Sequence, residues 1–453
     1  MRDPKHIIVV GGGLMGTTLA ERLSKDGYDV SMVESSQGRL LELSEGLDVR
    51  LVRGNGATAP VLRDAGVERA GLVLAVTDSD EANLLVAFLA ARRFRVPRLV
   101  IRIRDAGHEE AFALLQESGD SAYARVNPEA AAVERITRLL QVPGALDVVS
   151  FMDGQLLVAG FRIGPQSEFA GLTVAHMKLF FAETPALVAA IQRGDRWIVP
   201  HGEEELHVGD LAYFAFAREE LDGILALIGA ASEARRYVVI AGASRIGLEL
   251  ARRLEAGDHR VLLIEADPAR AQAAADLLEE AVVIRGAATD QTLLEEEEIE
   301  RASTFVAASD DQEENLVTAL LARRLGAARA FAVVDNPALV HLLGEIALDA
   351  IISPRQLAIG LALQYVRGSQ VFQVAELLED QVEIVEAEAP PGSRITRAPL
   401  CELGLRGALV AAVRHGEQLR VPSGEDRVEA GDRVLLIAAT ESASKIAEDL
   451  LGA

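Results

Sequence analysis

Two glycine-rich stretches have the residue types and spacing to hold phosphate: VVGGGLMG at 9–16 and VIAGASRIG at 239–247. The first spaces Gly11, Gly13 and Gly16 as G-x-G-x-x-G, after an apolar run and ahead of a helix-like segment. In such a loop the first glycine permits a tight turn, and the second lets the backbone approach a pyrophosphate. The third lets helix and sheet pack closely. The helix start adds unpaired N–H groups and a partial positive charge for phosphate oxygens. Glu34 ends the next apolar strand, YDVSMVE. A carboxylate there accepts from ribose hydroxyls and disfavours a 2′-phosphate, so NAD(H) or another adenosine nucleotide is expected rather than NADP.

The second loop keeps Gly242 and Gly247 but places Ser244 at the middle position, where a side chain meets the pyrophosphate at its closest approach. Glu265 still ends its strand, VLLIE, so the ribose anchor persists, and Arg245 offers a compensating cation. Nucleotide binding with altered affinity, or of a different nucleotide, is expected. Thr77 and Asp78 follow the strand LVLAV, at the end of an α/β strand where ligands bind. Helix capping ahead of ANLLVAFLA accounts for Thr77, Asp78 and Asp80 about as well. Arg102 and Arg104 share one face of LVIRIRD, available to phosphate or to a partner.

The elements that must position these residues occur twice. Gly11 and Gly242 lie 231 residues apart, as do Glu34 and Glu265, while Asn83 and Asn315 lie 232 apart. NPEAAAVERITRLL and SPRQLAIGLALQYV each begin a helix with a capping residue and a proline. The stretches 186–217 and 408–439 match at an offset of 222, with short alternating strands broken by glycine turns. The expected fold is α/β. Two Rossmann-like doubly wound parallel-sheet domains (1–140 and 232–368) are each followed by a small α+β module (141–231 and 369–453).

Composition narrows the function. The net charge of −24 over 453 residues argues against nucleic acid, which needs a basic surface. The single cysteine, Cys401, precludes an internal disulfide or cysteine metal cluster. No run approaches the roughly 20 apolar residues of a membrane span, and a soluble intracellular protein is expected. The eight histidines show no metal spacing, and no catalytic acid or base is placed beside the glycine loops. Two nucleotide sites without a catalytic group point to sensing. The rival readings are an NAD-dependent oxidoreductase with an unusual substrate domain, and a structural ring with vestigial nucleotide sites.

The order of glycine-turn domain, small β module, and then both again resembles the TrkA family of Trk-system potassium uptake regulators, built of tandem regulator-of-potassium-conductance domains. The resemblance covers essentially the whole chain. VVGGGLMGTTLAERL, VTDSDEANLLVAFLA, IRIRD and the paired ALVAA…VP…GD modules carry it. It implies a non-enzymatic regulator binding NAD(H) or ATP/ADP. It also implies a homo-oligomer, a tetrameric ring, peripheral on the cytoplasmic face of the inner membrane. The partner would be a membrane potassium transporter subunit of the TrkH or TrkG kind. Carried over, the first site uses Gly11, Gly12, Gly13, Leu14 and Met15 at the phosphates and Glu34 at the ribose, with Thr77, Asp78 and Arg102 closing it. The second uses Gly242, Ala243, Ser244, Arg245, Ile246 and Glu265, with Ala243 and Ser244 departing from the glycine-rich pattern.

Overall fold

The computed structural model describes the chain apart from residues 1–2, 45, 118–120, 183, 195, 230–236, 258, 337–338, 340–347, 367–370, 378–381, 406, 440–445, 447–448 and 451–453. It divides into two compact units. One comprises residues 1–132 with 353–368, and the other 133–352 with 369–453.

In the first unit, β1 (Asp3–Val10), β2 (Asp29–Glu34), β3 (Arg50–Arg53), β4 (Ala70–Ala75), β5 (Arg98–Arg102) and β6 (Ala122–Val126) form one sheet. Its order is β3-β2-β1-β4-β5-β6, parallel throughout. The central strands carry apolar runs, IIVV in β1 and AGLVLA in β4, because helices cover both faces. Ile8 and Val10 pack with Leu62, Val86 and Ala90 on one side. Ile7 and Val9 pack with Leu19 and Leu23 on the other. The order reverses between β1 and β4, which opens the crevice where such sheets take ligands.

The helix Pro354–Val366 completes this unit from far along the chain. Ala358, Ile359, Ala362, Leu363 and Val366 join the core of Ile7, Leu19, Leu72 and Val100. Tyr365 Oη donates to the Tyr123 carbonyl at 2.8 Å, and Arg98 Nη1 donates to the Val366 carbonyl at 2.9 Å. The repeat order puts residues 353–368 at the end of the second Rossmann-like segment, but the chain folds them onto the first sheet. Their apolar content marks a packed helix without saying which sheet it covers.

The second unit begins with strands of the first antiparallel module. They are β7 (Ala145–Phe151), β8 (Leu156–Arg162), β9 (Ala186–Arg193), β10 (Arg196–Ile198) and β11 (Leu211–Ala217), in the order β10-β9-β11-β8-β7. A second parallel sheet follows: β12 (Tyr237–Ala241), β13 (Arg260–Glu265), β14 (Val282–Arg285), β15 (Thr304–Ala307), β16 (Ala330–Val333) and β17 (Ala350–Ile352). It repeats the first sheet's order as β14-β13-β12-β15-β16-β17. The helix Pro128–Gln141 ends in this unit, where Arg329 Nη1 donates to the Leu139 carbonyl at 2.8 Å. Arg329 is the repeat partner of Arg98, so both copies set a cation at the carboxyl end of a helix, where the dipole favours it.

The last sheet is β18 (Val371–Leu377), β19 (Val382–Glu388), β20 (Ala408–His415), β21 (Gln418–Arg420) and β22 (Arg433–Ala439), ordered β18-β19-β22-β20-β21. The two antiparallel modules share one core, in which Phe151 and Tyr213 meet Ile384 and Leu435. At its edge Asp153 accepts from Arg414 and Arg433 at 2.9 and 2.8 Å. Beside it the Met152 N–H donates to the buried Glu386 at 3.0 Å.

The modules differ at one equivalent pair. In the first, Arg193 makes a forked contact with the buried Asp210, at 3.0 and 2.8 Å. In the second, His415 Nδ1 lies 2.6 Å from the buried Asp432. That hydrogen bond raises the His415 pKa above the ordinary histidine value, with Glu429 adding to the effect and nearby Arg420 opposing it. A raised histidine stabilises fully in acid, and the contribution is lost as pH rises through the raised value. Thermal melting should therefore fall as pH climbs past about 6.5 and upward, and His415→Arg should flatten that slope. An unchanged slope in the arginine variant would exclude His415 as its source.

Candidate functional site

The crevice beside β1 is built by the turn Gly11–Gly13 and the helix Leu14–Lys25. Gly11 adopts φ +112°, and a Cβ there would lie 2.9 Å from the Thr77 nitrogen. A Cβ on Gly16 would lie 1.9 Å from the Gly11 carbonyl oxygen, so the third glycine clears the turn itself before it clears the sheet. Around a Cβ on Gly13 there is no atom within 4 Å. Gly13 caps the helix without a side-chain hydrogen bond. The helix start thus faces open space, as a phosphate-binding turn requires.

Glu34 closes one side. Its Oε2 accepts from the Gly12 N–H at 2.7 Å and its Oε1 from the Ser36 N–H at 2.7 Å. Burial pushes this carboxyl up, but the N–H bonds of Ser36 and Gly12 outweigh it and hold the pKa below the ordinary value. Glu34 is accordingly an anion at neutral pH. Arg39 Nε donates to the Gly12 carbonyl at 2.9 Å and holds the turn from the same side.

Thr77 and Asp78 follow the end of β4, and neither caps the next helix. The cap is Ser79, which accepts from the Ala82 N–H at 3.1 Å. Thr77 is instead fixed by the fully buried Asn83, whose Oδ1 accepts from the Thr77 nitrogen at 2.9 Å and the hydroxyl at 2.7 Å. Asn83 Nδ2 donates to the carbonyls of Thr77 and Arg102, tying β4 to β5. Arg102 Nη1 donates to Asp78 at 2.9 Å, so its charge is already partnered. Of the loop side chains, Leu14 is exposed and Met15 is buried.

The second crevice repeats this frame with changed contents. Gly242 has φ +102°, and a Cβ on Gly247 would lie 2.0 Å from the Gly242 carbonyl oxygen. The Ala243 N–H donates to Glu265 Oε2 at 2.7 Å, as Gly12 does to Glu34. The Asn315 amide binds Ser309 as Asn83 binds Thr77. Ser244, however, is buried, and its hydroxyl accepts from the Gly247 N–H at 3.2 Å and donates to the Ala308 carbonyl. Arg245 is exposed and Ile246 is buried. Arg270, the partner of Arg39, bonds Asp310 at 2.8 Å. Sequence reasoning used Asn83 and Asn315 only to mark the repeat, and it did not single out Arg39 or Arg270. The signal was present in a polar amide repeated at the same place on two apolar helices.

Two doubly wound sheets, each with a glycine turn and a strand-ending glutamate at its switch point, define a duplicated Rossmann-type protein with an antiparallel module after each half. The TrkA-N domain matches residues 7–118 and 238–354, and the TrkA-C domain matches 158–229 and 384–451. The Trk system potassium uptake protein TrkA of Azorhizobium caulinodans is 32% identical over 452 residues, 97% of each chain. That of Haemophilus influenzae is 32% identical over 435 residues, 95% of each chain. This chain belongs to the TrkA family of potassium uptake proteins. Among solved structures, the GsuK channel bound to NAD shares the fold at 20% identity and a TM-score of 0.61, over 99% of this chain and 79% of that one. The GsuK RCK domain does so at 21% and 0.62, over 99% and 95%. No helix among the described residues is long and apolar enough to cross a membrane.

Proposed function

We propose that this chain is the nucleotide-responsive regulatory subunit of a Trk-type potassium uptake system. An adenine nucleotide, NAD(H) or ATP/ADP, settles on the Gly11–Met15 turn with its ribose at Glu34. Thr77, Asp78 and Arg102 close over it. Binding biases the chain between two arrangements, and the membrane subunit, of the TrkH or TrkG kind, reads the difference. The four segments 1–140, 141–231, 232–368 and 369–453 serve as alternating nucleotide-binding and regulatory parts of a tetrameric ring on the cytoplasmic face of the inner membrane. The nucleotide acts as a ligand and is not consumed.

The observation that carries this reading is the open space over Gly13 beside an ionised Glu34. Such a ligand shifts an equilibrium only by its difference in affinity for the two states. Moving a gate from mostly closed to mostly open needs about 5.5 kcal/mol, within reach of several sites acting together. GsuK, which shares the fold, has been solved bound to NAD and bound to ADP. The test is rubidium uptake by vesicles holding the membrane subunit and this chain, with NADH, ATP and ADP titrated in turn. Conductance should change with nucleotide while the nucleotide is recovered intact. Uptake indifferent to all three, or steady consumption of one, overturns the proposal.

A further inference from the structure

The second crevice has the frame of the first but is filled from within. We propose that its own side chains hold it shut and that it takes no nucleotide, so each chain carries a single nucleotide switch. The inference rests on the first-crevice reading above and narrows it from two Rossmann-like halves to one.

The turn and the strand end lie closer together in the second half. A Cβ on Gly242 would lie 2.5 Å from both the nitrogen and the Cα of Ser309. Around Gly11 the same atoms of Thr77 stand at 2.9 and 3.0 Å. The cavity lined by Gly242, Glu265, Ser309, Glu314 and Thr318 encloses about 40 Å³. That is room for a water or two, whereas small-molecule pockets measure roughly 300–1,000 Å³.

The helix start is also occupied. Ser244 caps the helix Arg245–Glu255 and is buried. Its hydroxyl accepts from the Gly247 N–H at 3.2 Å, a bond that an open helix start offers to a phosphate oxygen. The same hydroxyl donates to the Ala308 carbonyl just past β15 and so ties the turn to the strand end. Gly13, at this place in the first half, makes no side-chain cap and leaves open space.

An ion pair crosses the mouth. Asp310 repeats Asp78, which in the first half is bonded by Arg102 of β5, on the far side of β4 from β1. Val333 replaces Arg102, and Asp310 bonds instead to Arg270 at 2.8 Å. Arg270 belongs to the helix Pro268–Leu277 that follows β13, and its Nε lies 3.6 Å from Glu265. Because β13 and β15 flank β12, the pair spans the switch point. Glu314, where the first half has Ala82, adds a second carboxylate to the lining. Arg245 is exposed and lies outside that lining. A phosphate entering here must displace Ser244, part the ion pair and approach two carboxylates at the low effective dielectric of a cleft.

The test titrates NAD and ADP into the full chain by calorimetry and follows hydrogen exchange by peptide with and without NAD. One nucleotide should bind per chain, and Gly13→Leu should remove it. NAD should slow exchange over residues 11–16 and leave 242–247 unchanged. Two nucleotides per chain, or one kept by the Gly13→Leu chain with protection over 242–247, overturns the proposal. Ser244→Gly combined with Arg270→Met removes both obstructions and should raise ADP binding to two per chain. An unchanged count in that variant, with unchanged thermal melting, overturns the assignment of the closure to these two residues. Failure of the first-crevice reading looks different. The unsubstituted chain then binds no nucleotide, or binds it unweakened after Gly13→Leu without protection over 242–247.

Discussion

Replacing Gly13 with leucine should abolish NAD binding to the first crevice while leaving the fold in place. The two consequences separate because Gly13 is in extended backbone, with φ −69° and ψ −179°, which any residue adopts. No atom lies within 4 Å of the added Cβ, so the free protein has room for it. Leucine at a helix cap costs about 1 kcal/mol relative to better capping residues. The ligand meets a different situation, because the isobutyl group stands where phosphate must approach the N–H groups of the helix start. Losing two charge-assisted hydrogen bonds, at about 1.5–3 kcal/mol each, lowers affinity by about a hundredfold or more. Calorimetry with NAD measures the affinity and thermal melting measures the fold. The contrasting variant is Gly16→Ala, whose Cβ would fall 1.9 Å from the Gly11 oxygen and must displace the turn. That variant should lose both binding and stability. Undiminished NAD affinity in the leucine variant would place the nucleotide elsewhere.

The second large effect acts across the length of the chain. Ile359→Ala should destabilise the first parallel sheet by about 2–5 kcal/mol, the usual cost of truncating a buried isoleucine. Ile359 is fully buried, yet it belongs by sequence to the second half of the duplication. Its core partners are Ile7, Leu19, Leu72 and Val100 of the first. Hydrogen exchange followed by peptide should show lost protection over β1, β4 and β5, with β12, β13 and β15 unaffected. Protection lost from the second sheet and kept in the first would show that the helix Pro354–Val366 covers the other sheet. The same geometry means that a chain cut after residue 352 leaves the first sheet without one of its covering helices, with apolar surface exposed.

Much of this protein was legible in its residues. Apolar runs ending in glycine turns and glutamates fixed both parallel sheets, because strands covered on two faces leave no choice of pattern. The 231-residue spacing made the duplication plain, and the glycine turns of the antiparallel modules announced themselves through RGD, VGD and AGD. The glycine turn, with Glu34 twenty-odd residues on, marked the first crevice, since only glycine tolerates the close backbone contacts found at Gly11 and Gly16.

Other features were decided only in three dimensions. The helix Pro354–Val366 is apolar enough to pack on either sheet, and contacts with Ile7 and Val100 chose the first. Whether Asn83 also reaches the Arg102 carbonyl, or Arg102 pairs with Asp78, depends on β4 and β5 lying side by side, which spacing along the chain does not encode. Ser244 was visible as a departure, but not the direction of its hydroxyl. Hydrogen-bond geometry toward Ala308 and Gly247 turned that side chain inward, because a buried hydroxyl must find partners within reach. Sequence sets local conformation and the choice of face. The identity of the facing surface follows from long-range packing, where residues hundreds of positions apart compete for the same buried area.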